Sequence, residues 1–215
     1  MKSLLCFGDS NTHGAVPMRT RDEVLRFDFM NRWPGVAQAL LGPGWRVIEE
    51  GLPGRTTSFD DPEEGKDRNA LRYWQACIQS HRPVDAIVIM LGTNDLKAKF
   101  NATSETISDG MNRLIDIALQ NTSPGFNHPF ILVIAPTPIL EVSFFRELFA
   151  GGEMKSHQFA ATYSKVAHRP GVQFLNAASY CKVSNIDGIH LDAMAHSQLG
   201  NAVAEAVQKA FSICL

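Results

Sequence analysis

Long apolar runs are missing from this chain. Its continuous hydrophobic stretches, such as Ala86 to Leu91, fall far short of the roughly 20 residues that a membrane-spanning helix needs. No secretion signal is visible in the opening residues. Lys2 is followed by only five apolar or small residues before Gly8-Asp9, too few for a signal hydrophobic region. Charge of one sign is absent: 20 Lys and Arg against 22 Asp and Glu leave a formal charge of −2. That balance carries no electrostatic footprint for nucleic acid or an anionic membrane surface. Cysteine is scarce. Cys6, Cys77, Cys181 and Cys214 form no C-x-x-C pair and no Cys/His cluster with zinc spacing. Cys6, inside an apolar run, reads as a small core residue. Cys214, second from the end, does not fit a prenylation box. The expectation is a soluble, cytoplasmic protein with reduced thiols and without membrane or nucleic-acid partners.

What is present supports one domain over residues 1–215. Hydrophobic residues make up 45% of the chain and charged residues 20%, enough apolar material for a sizeable core. Short apolar runs at Leu4–Phe7, Arg46–Ile48, Ala86–Leu91, Phe130–Ala135 and Val172–Leu175 read as strands. Most do not alternate with polar residues, as expected of strands covered on both faces. Helical patterns lie between them. In Ser104–Gln120, Ile107, Met111, Leu114, Ile115, Ala118 and Leu119 recur at three- and four-residue steps behind Thr103 or Ser104 as a cap. Others are predicted over Asn69–His81, from Asn31 to Gly42, over Phe144–His168 with a break at Gly151-Gly152, and from His190 to Phe211. Strand–helix alternation implies parallel β-α-β units. The predicted fold is an α/β three-layer sandwich around about five parallel strands.

In such sheets the site lies beyond the carboxyl ends of the strands. Gly8-Asp9-Ser10, the loop through Gly54-Arg55, Gly92-Thr93-Asn94-Asp95, and Asp187-Gly188-Ile189-His190 all follow apolar runs. A serine hydroxyl needs a base to become a nucleophile, and an imidazole held by a carboxylate is that base. Asp187 and His190, three residues apart, fit one tight turn. The N–H groups of Ser10 and Gly54 and the side-chain amide of Asn94 are candidate oxyanion donors. Each block alone has a plainer reading: Ser10 as a helix cap, Gly54 and Asp187 as turn residues, Asn94-Asp95 as cap and turn. Their order along one sheet edge favours the joint catalytic reading. A non-enzyme alternative, a flavodoxin-like module that binds FMN or phosphate after strand one, is disfavoured by the negative Asp9 there.

These blocks resemble those of the GDSL, or SGNH, hydrolases, with Asn11 where the family name implies Leu. The stretches "LLCFGDSNTHG", "VIEEGLPGRTTSFDDP", "IVIMLGTNDLKAKF", "FAGGEMK" and "DGIHL" are similar to the bacterial arylesterase/acyltransferase branch. The resemblance implies a flavodoxin-like SGNH fold, no metal or other cofactor, and hydrolysis of short-chain esters as small-molecule substrates, with acyl transfer to alcohols. It implies Ser10 as nucleophile, His190 as base and Asp187 as its orienter, with Ser10, Gly54 and Asn94 as oxyanion hole. It also implies a homo-oligomer, an octamer in known relatives, with Val16–Phe29 and Phe144–Lys155 as interface or site rim. Asp9, Asn11, His13, Thr93 and Ile189 are the candidates for substrate contact. Carbohydrate O-acetylesterase activity is the alternative within the family. The absence of Gly-x-Ser-x-Gly argues against an ordinary α/β-hydrolase. Arg55 reads as a loop brace, Asp192 as a cap for the last helix, and Lys97 and Lys99 as a solvated face.

Overall fold

The computed structural model describes residues 1–121 and 128–212, so Cys214 lies outside the described residues. The strands are β1 (Lys2–Gly8), β2 (Trp45–Gly51), β3 (Ala86–Met90), β4 (Phe130–Ala135) and β5 (Val172–Asn176). The helices are α1 (Ser10–His13), α2 (Trp33–Leu41), α3 (Ala70–His81), α4 (Ser104–Gln120), α5 (Gly152–Ser156), α6 (Phe159–Ala167) and α7 (Ala193–Ser212). One sheet runs β2-β1-β3-β4-β5 with every neighbouring pair parallel.

Successive strand residues face opposite sides, and here both sides are apolar. Leu5, Phe7, Ile87, Ile89, Ile131 and Val133 pack in one core with Trp74, Met111, Leu114 and Tyr163, which come from α3, α4 and α6. Leu4, Cys6, Ala86, Val88, Leu132 and Ile134 pack in the other with Trp33, Leu199 and Val203, from α2 and α7. This is a three-layer α/β sandwich, and it explains why the runs do not alternate.

Local chemistry sets most boundaries. The Thr103 hydroxyl accepts from the Thr106 N–H at 3.2 Å and caps α4. Asn69 accepts from the Leu71 N–H at 3.1 Å and caps α3. Asp192 accepts from the Ala195 N–H at 2.8 Å and starts α7. Strand β2 is longer than its apolar run because it is an edge strand whose acids find partners: Glu49 pairs with Arg32 at 2.8 Å and Glu50 with His81 at 2.7 Å. The helix predicted over 144–168 is several pieces. Ser143–Phe145 is a single tight turn, and Gly151 in the left-handed region (φ 77°) separates it from α5 and α6.

The strand order reverses between β1 and β3, since β2 lies on one side of β1 and β3 on the other. The carboxyl ends there are level: Gly8 is opposite both Gly51 and Met90. A crevice at that switch point is where ligands bind in open α/β sheets.

Candidate active site

Asp9 caps α1 through its carboxylate, which accepts from the Asn11 N–H at 2.9 Å. Ser10 is therefore the first residue of the helix and not its cap. Its N–H has no acceptor within the helix, and its Oγ faces the sheet edge. The Asp187–His190 turn reaches it from the far end of the chain. Gly188 makes that turn possible: it sits at φ 75°, and a Cβ there would meet the Leu140 carbonyl oxygen at 2.2 Å.

His190 Nε2 lies 3.1 Å from Ser10 Oγ, and His190 Nδ1 lies 2.6 Å from Asp187 Oδ2. Asp187 is fully buried and accepts from four donors. The N–H groups of Ile189 and His190 reach Oδ1 at 3.0 and 2.9 Å, and the Met18 N–H reaches Oδ2 at 2.7 Å beside the imidazole. Burial pushes this carboxyl up, but the His190 hydrogen bond and charge and the two backbone N–H groups outweigh it, so it is held below its ordinary value. An ionised Asp187 accepts only. Nδ1 must then carry the proton, and the Nε2 lone pair is aimed at Ser10.

Asn94 follows β3 in a tight turn, Asn94–Leu96. Its Nδ2 donates to the Arg55 carbonyl at 3.1 Å, which leaves its second N–H for the crevice and ties it to the loop that carries Gly54. Gly54 is at φ 79°. Arg55 is buried beneath this loop. It donates to the Gly8 carbonyl at 2.8 Å and to the Glu50 carbonyl, and stacks 4.1 Å over Phe7. Ser10, Gly54, Asn94, Ile189 and His190 line one pocket of about 180 Å³, with Met18, Pro53, Glu64, Lys97, Phe145, Leu148 and Phe149. A larger groove of about 660 Å³, lined by residues 178–186 with Asp192, Met194, Ala195 and Gln198, contains none of the Ser10, His190 or Asn94 side chains.

Residues 6–197 match the GDSL-like Lipase/Acylhydrolase family. The chain belongs to this family. It is a carboxylic ester hydrolase. Among solved structures it is similar to a carbohydrate acetylesterase from Sinorhizobium meliloti, with 38% identity over 97% of this chain and 99% of that one and a TM-score of 0.92. It is equally similar to the aryl esterase of M. smegmatis, with 38% identity, the same coverage and the same TM-score. A second carbohydrate acetylesterase family member from Sinorhizobium meliloti is 34% identical over 97% of this chain and 98% of that one, at a TM-score of 0.90. A search of the curated proteins found no match.

In this hydrolase, four of the five residues singled out for substrate contact do not line the pocket. Asp9 is buried beneath α1. Asn11 is a strap: its Nδ2 donates to the Ile189 carbonyl at 3.1 Å and its Oδ1 accepts from the Leu191 N–H at 2.9 Å. It holds the His190 turn against the Ser10 helix, a use for Asn at this position that a Leu could not supply. His13 is half-buried, with its backbone packed over Gly51 and its carbonyl accepting from Arg26 at 2.7 Å. Thr93 is buried, and its carbonyl accepts from the Leu96 N–H. Only Ile189 reaches the pocket. Proximity in sequence to Ser10 misleads because one helical turn swings neighbouring side chains away from the crevice.

Two further acids lie behind the site. Burial pushes the Asp9 carboxyl up to about 6, against the Asn11 N–H and the charges of His190 and Arg55. It pushes Asp95 up to about 7, although Thr57 donates to it from both its N–H and its hydroxyl. His196 is fully buried and accepts from the Trp33 N–H at 3.3 Å, and burial lowers its imidazole to about 4. A metal-type trio, Glu50, Cys77 and His81, has its ligand atoms within 4.8 Å of one another. It lies outside the pocket, and its Glu50 and His81 already satisfy each other. Cys77 beside them is pushed up to about 12, by burial and then by the Glu50 charge. Among the described residues no helix is long and apolar enough to cross a membrane.

Lys97 is the largest departure from the sequence reading. It is 3% exposed and lines the pocket, where a solvated face was expected; Lys99 beside it is exposed, as expected, although its ammonium reaches Asp61 at 2.7 Å. The two segments marked as rim, Val16–Phe29 and Phe144–Lys155, supply Met18, Phe145, Leu148 and Phe149 to the wall.

Proposed function

We propose that Ser10 is the nucleophile of this esterase, His190 its base and Asp187 the group that orients the base. The hydrogen-bonded series from Ser10 Oγ through His190 to Asp187, at 3.1 and 2.6 Å, carries this reading. Ser10 Oγ attacks the ester carbonyl carbon and its proton passes to His190 Nε2. The charge that develops on the carbonyl oxygen is met by the N–H groups of Ser10 and Gly54 and by the Asn94 amide. Collapse breaks the bond to the alcohol oxygen, which leaves with the proton from His190. Water then attacks the acyl-Ser10 ester, again through His190, and releases the acid; a second alcohol in place of water gives a new ester.

The substrate is a small ester with a short acyl chain, since the pocket holds only about 180 Å³, below the usual ~300 Å³ of drug-sized ligand sites. Acetyl esters are the class proposed, and the likeness to an aryl esterase supports aryl or simple alcohols as the leaving group. Carbohydrate O-acetyl esters are a second reading, favoured by Glu64 and Lys97 in the pocket and by the equal likeness to a carbohydrate acetylesterase. The work is done in the cytoplasm, in keeping with the buried free thiols of Cys6, Cys77 and Cys181. Assembly into a homo-oligomer, an octamer by the resemblance, is part of the proposal. It is supported by Val24 and Met154, which expose 83% and 78% of their surface on the two rim segments.

The test is Ser10→Ala with 4-nitrophenyl acetate. Turnover is expected to vanish while circular dichroism stays unchanged, because the hydroxyl contributes no packing. Equal turnover in both proteins sinks the serine mechanism.

A further inference from the structure

A buried lysine in a substrate pocket requires an explanation, because an ammonium is almost never buried unless paired. Asp61, also fully buried, anchors it. Asp61 Oδ2 accepts from Lys97 Nζ at 3.3 Å, while Oδ1 accepts from Lys99 Nζ at 2.7 Å and from the N–H groups of Glu63 and Glu64 at 2.9 and 3.0 Å. Glu64 Oε1 takes a second Lys97 hydrogen. An ammonium has three. The third meets no protein acceptor among the described residues, although Lys97 lines the pocket beside Asn94 and Gly54. The Glu64 carboxylate stands equally close. Its Oε2 occupies the space a Cβ on Gly54 would need, 2.0 Å away, and Glu64 is only partly buried.

The pocket therefore has two unlike walls. Met18, Phe145, Leu148 and Ile189 are apolar, while Lys97 and Glu64 bring an ammonium with one hydrogen unmatched and a carboxylate acceptor to the same pocket. A hydroxyl needs both, since it donates one hydrogen and accepts on its lone pairs. Resting on the serine esterase reading, we infer that Lys97 and Glu64 are the specificity-determining residues for the alcohol part of the ester, and that they select an alcohol bearing further hydroxyl groups, as a sugar does. The apolar wall takes the acyl methyl. An aromatic alcohol without hydroxyls leaves the Lys97 donor unmatched and forfeits that term.

Phenyl acetate and a mono-O-acetylated glucose share the acyl group and differ only in the alcohol. The ratio of their kcat/KM values, sugar over phenyl, is the readout, whatever the separate rates do. Lys97→Met is expected to lower the ratio about tenfold to a hundredfold, the ordinary worth of a hydrogen bond to a charged group. Glu64→Gln, at a partly exposed position that folding tolerates, is expected to lower it about threefold or more, as one acceptor becomes a donor. It decides the matter if Lys97→Met does not fold by circular dichroism. A ratio unchanged within about twofold in the folded variants overturns the inference, because a purely structural ion pair acts on both substrates alike. Wild type with no sugar-ester turnover overturns it too. Ser10→Ala run alongside separates the two failures: loss of both activities there keeps the serine reading whichever way the ratio falls.

Discussion

Asp187→Asn perturbs one atom and tests the geometry on which the mechanism depends. Asp187 receives four N–H donors and has no donor of its own. An asparagine offers one oxygen for two of them. If its oxygen keeps the backbone N–H groups of Ile189 and His190, its amide faces the Met18 N–H and His190 Nδ1. The backbone cannot respond, but the imidazole can: Nδ1 gives up its proton and accepts, and Nε2 takes the proton. Nε2 then points an N–H at Ser10 and cannot act as a base. The expected loss is ~10³–10⁴ in kcat, about 4–5.5 kcal/mol at ~1.36 kcal/mol per decade. KM changes little, because Asp187 does not line the pocket. The part-buried Met18 N–H is left facing a donor, which costs about 1 kcal/mol of stability, the low end for an unmatched donor. Melting is expected to fall by roughly 2–4 °C for each kcal/mol in a chain of this size. The assay is steady-state hydrolysis of 4-nitrophenyl acetate alongside a thermal melt. A folded variant whose kcat is within about tenfold of wild type refutes the reasoning, since His190 would then keep its tautomer without a carboxylate.

Asn94→Ala removes one oxyanion donor and the strut to Arg55. A loss of about 10²–10³ in kcat is expected, and unchanged turnover removes Asn94 from the hole. For Asp95 the folded carboxyl, pushed to about 7 from 3.8, binds a proton that the unfolded chain has released. Its contribution to stability is thus full below about pH 4 and is lost as pH rises through about 7. Asp95→Asn cancels this dependence, so unfolding free energies from urea titrations between pH 5 and 8 are expected to move in the variant's favour by about 2–3 kcal/mol relative to wild type. Parallel curves for the two proteins mean that Asp95 is ionised throughout.

Much of the site was legible because its signals are local. Gly8-Asp9-Ser10 stands where an apolar run ends, and Asp187 and His190 share one turn, so strand ends named the candidates before any contact was known. The five strands and α4 followed from apolar spacing and a Thr cap for the same reason. What was not legible depends on partners far along the chain. Asn11 reads as a departure from a family pattern until Ile189 and Leu191, 178 and 180 residues away, are seen on its amide. Lys97 in "NDLKAKF" carries the pattern of a solvated turn, and only Asp61 and Glu64 of a distant loop turn it into a buried ion pair. His13 and Thr93 neighbour site residues in sequence but do not line the pocket.

By itself, then, the sequence determined the five strands, most of the longer helices, the layer architecture and the residue types gathered at one sheet edge, because backbone propensity and apolar periodicity act over a few residues. The tertiary structure alone decided the registry of Ser10 with His190, the coordination of Asp187 by Met18, and the burial of Lys97 on Asp61. These depend on distances between segments tens to nearly two hundred residues apart, which no local pattern encodes. They are also the features on which the proposed base, oxyanion donors and alcohol preference rest.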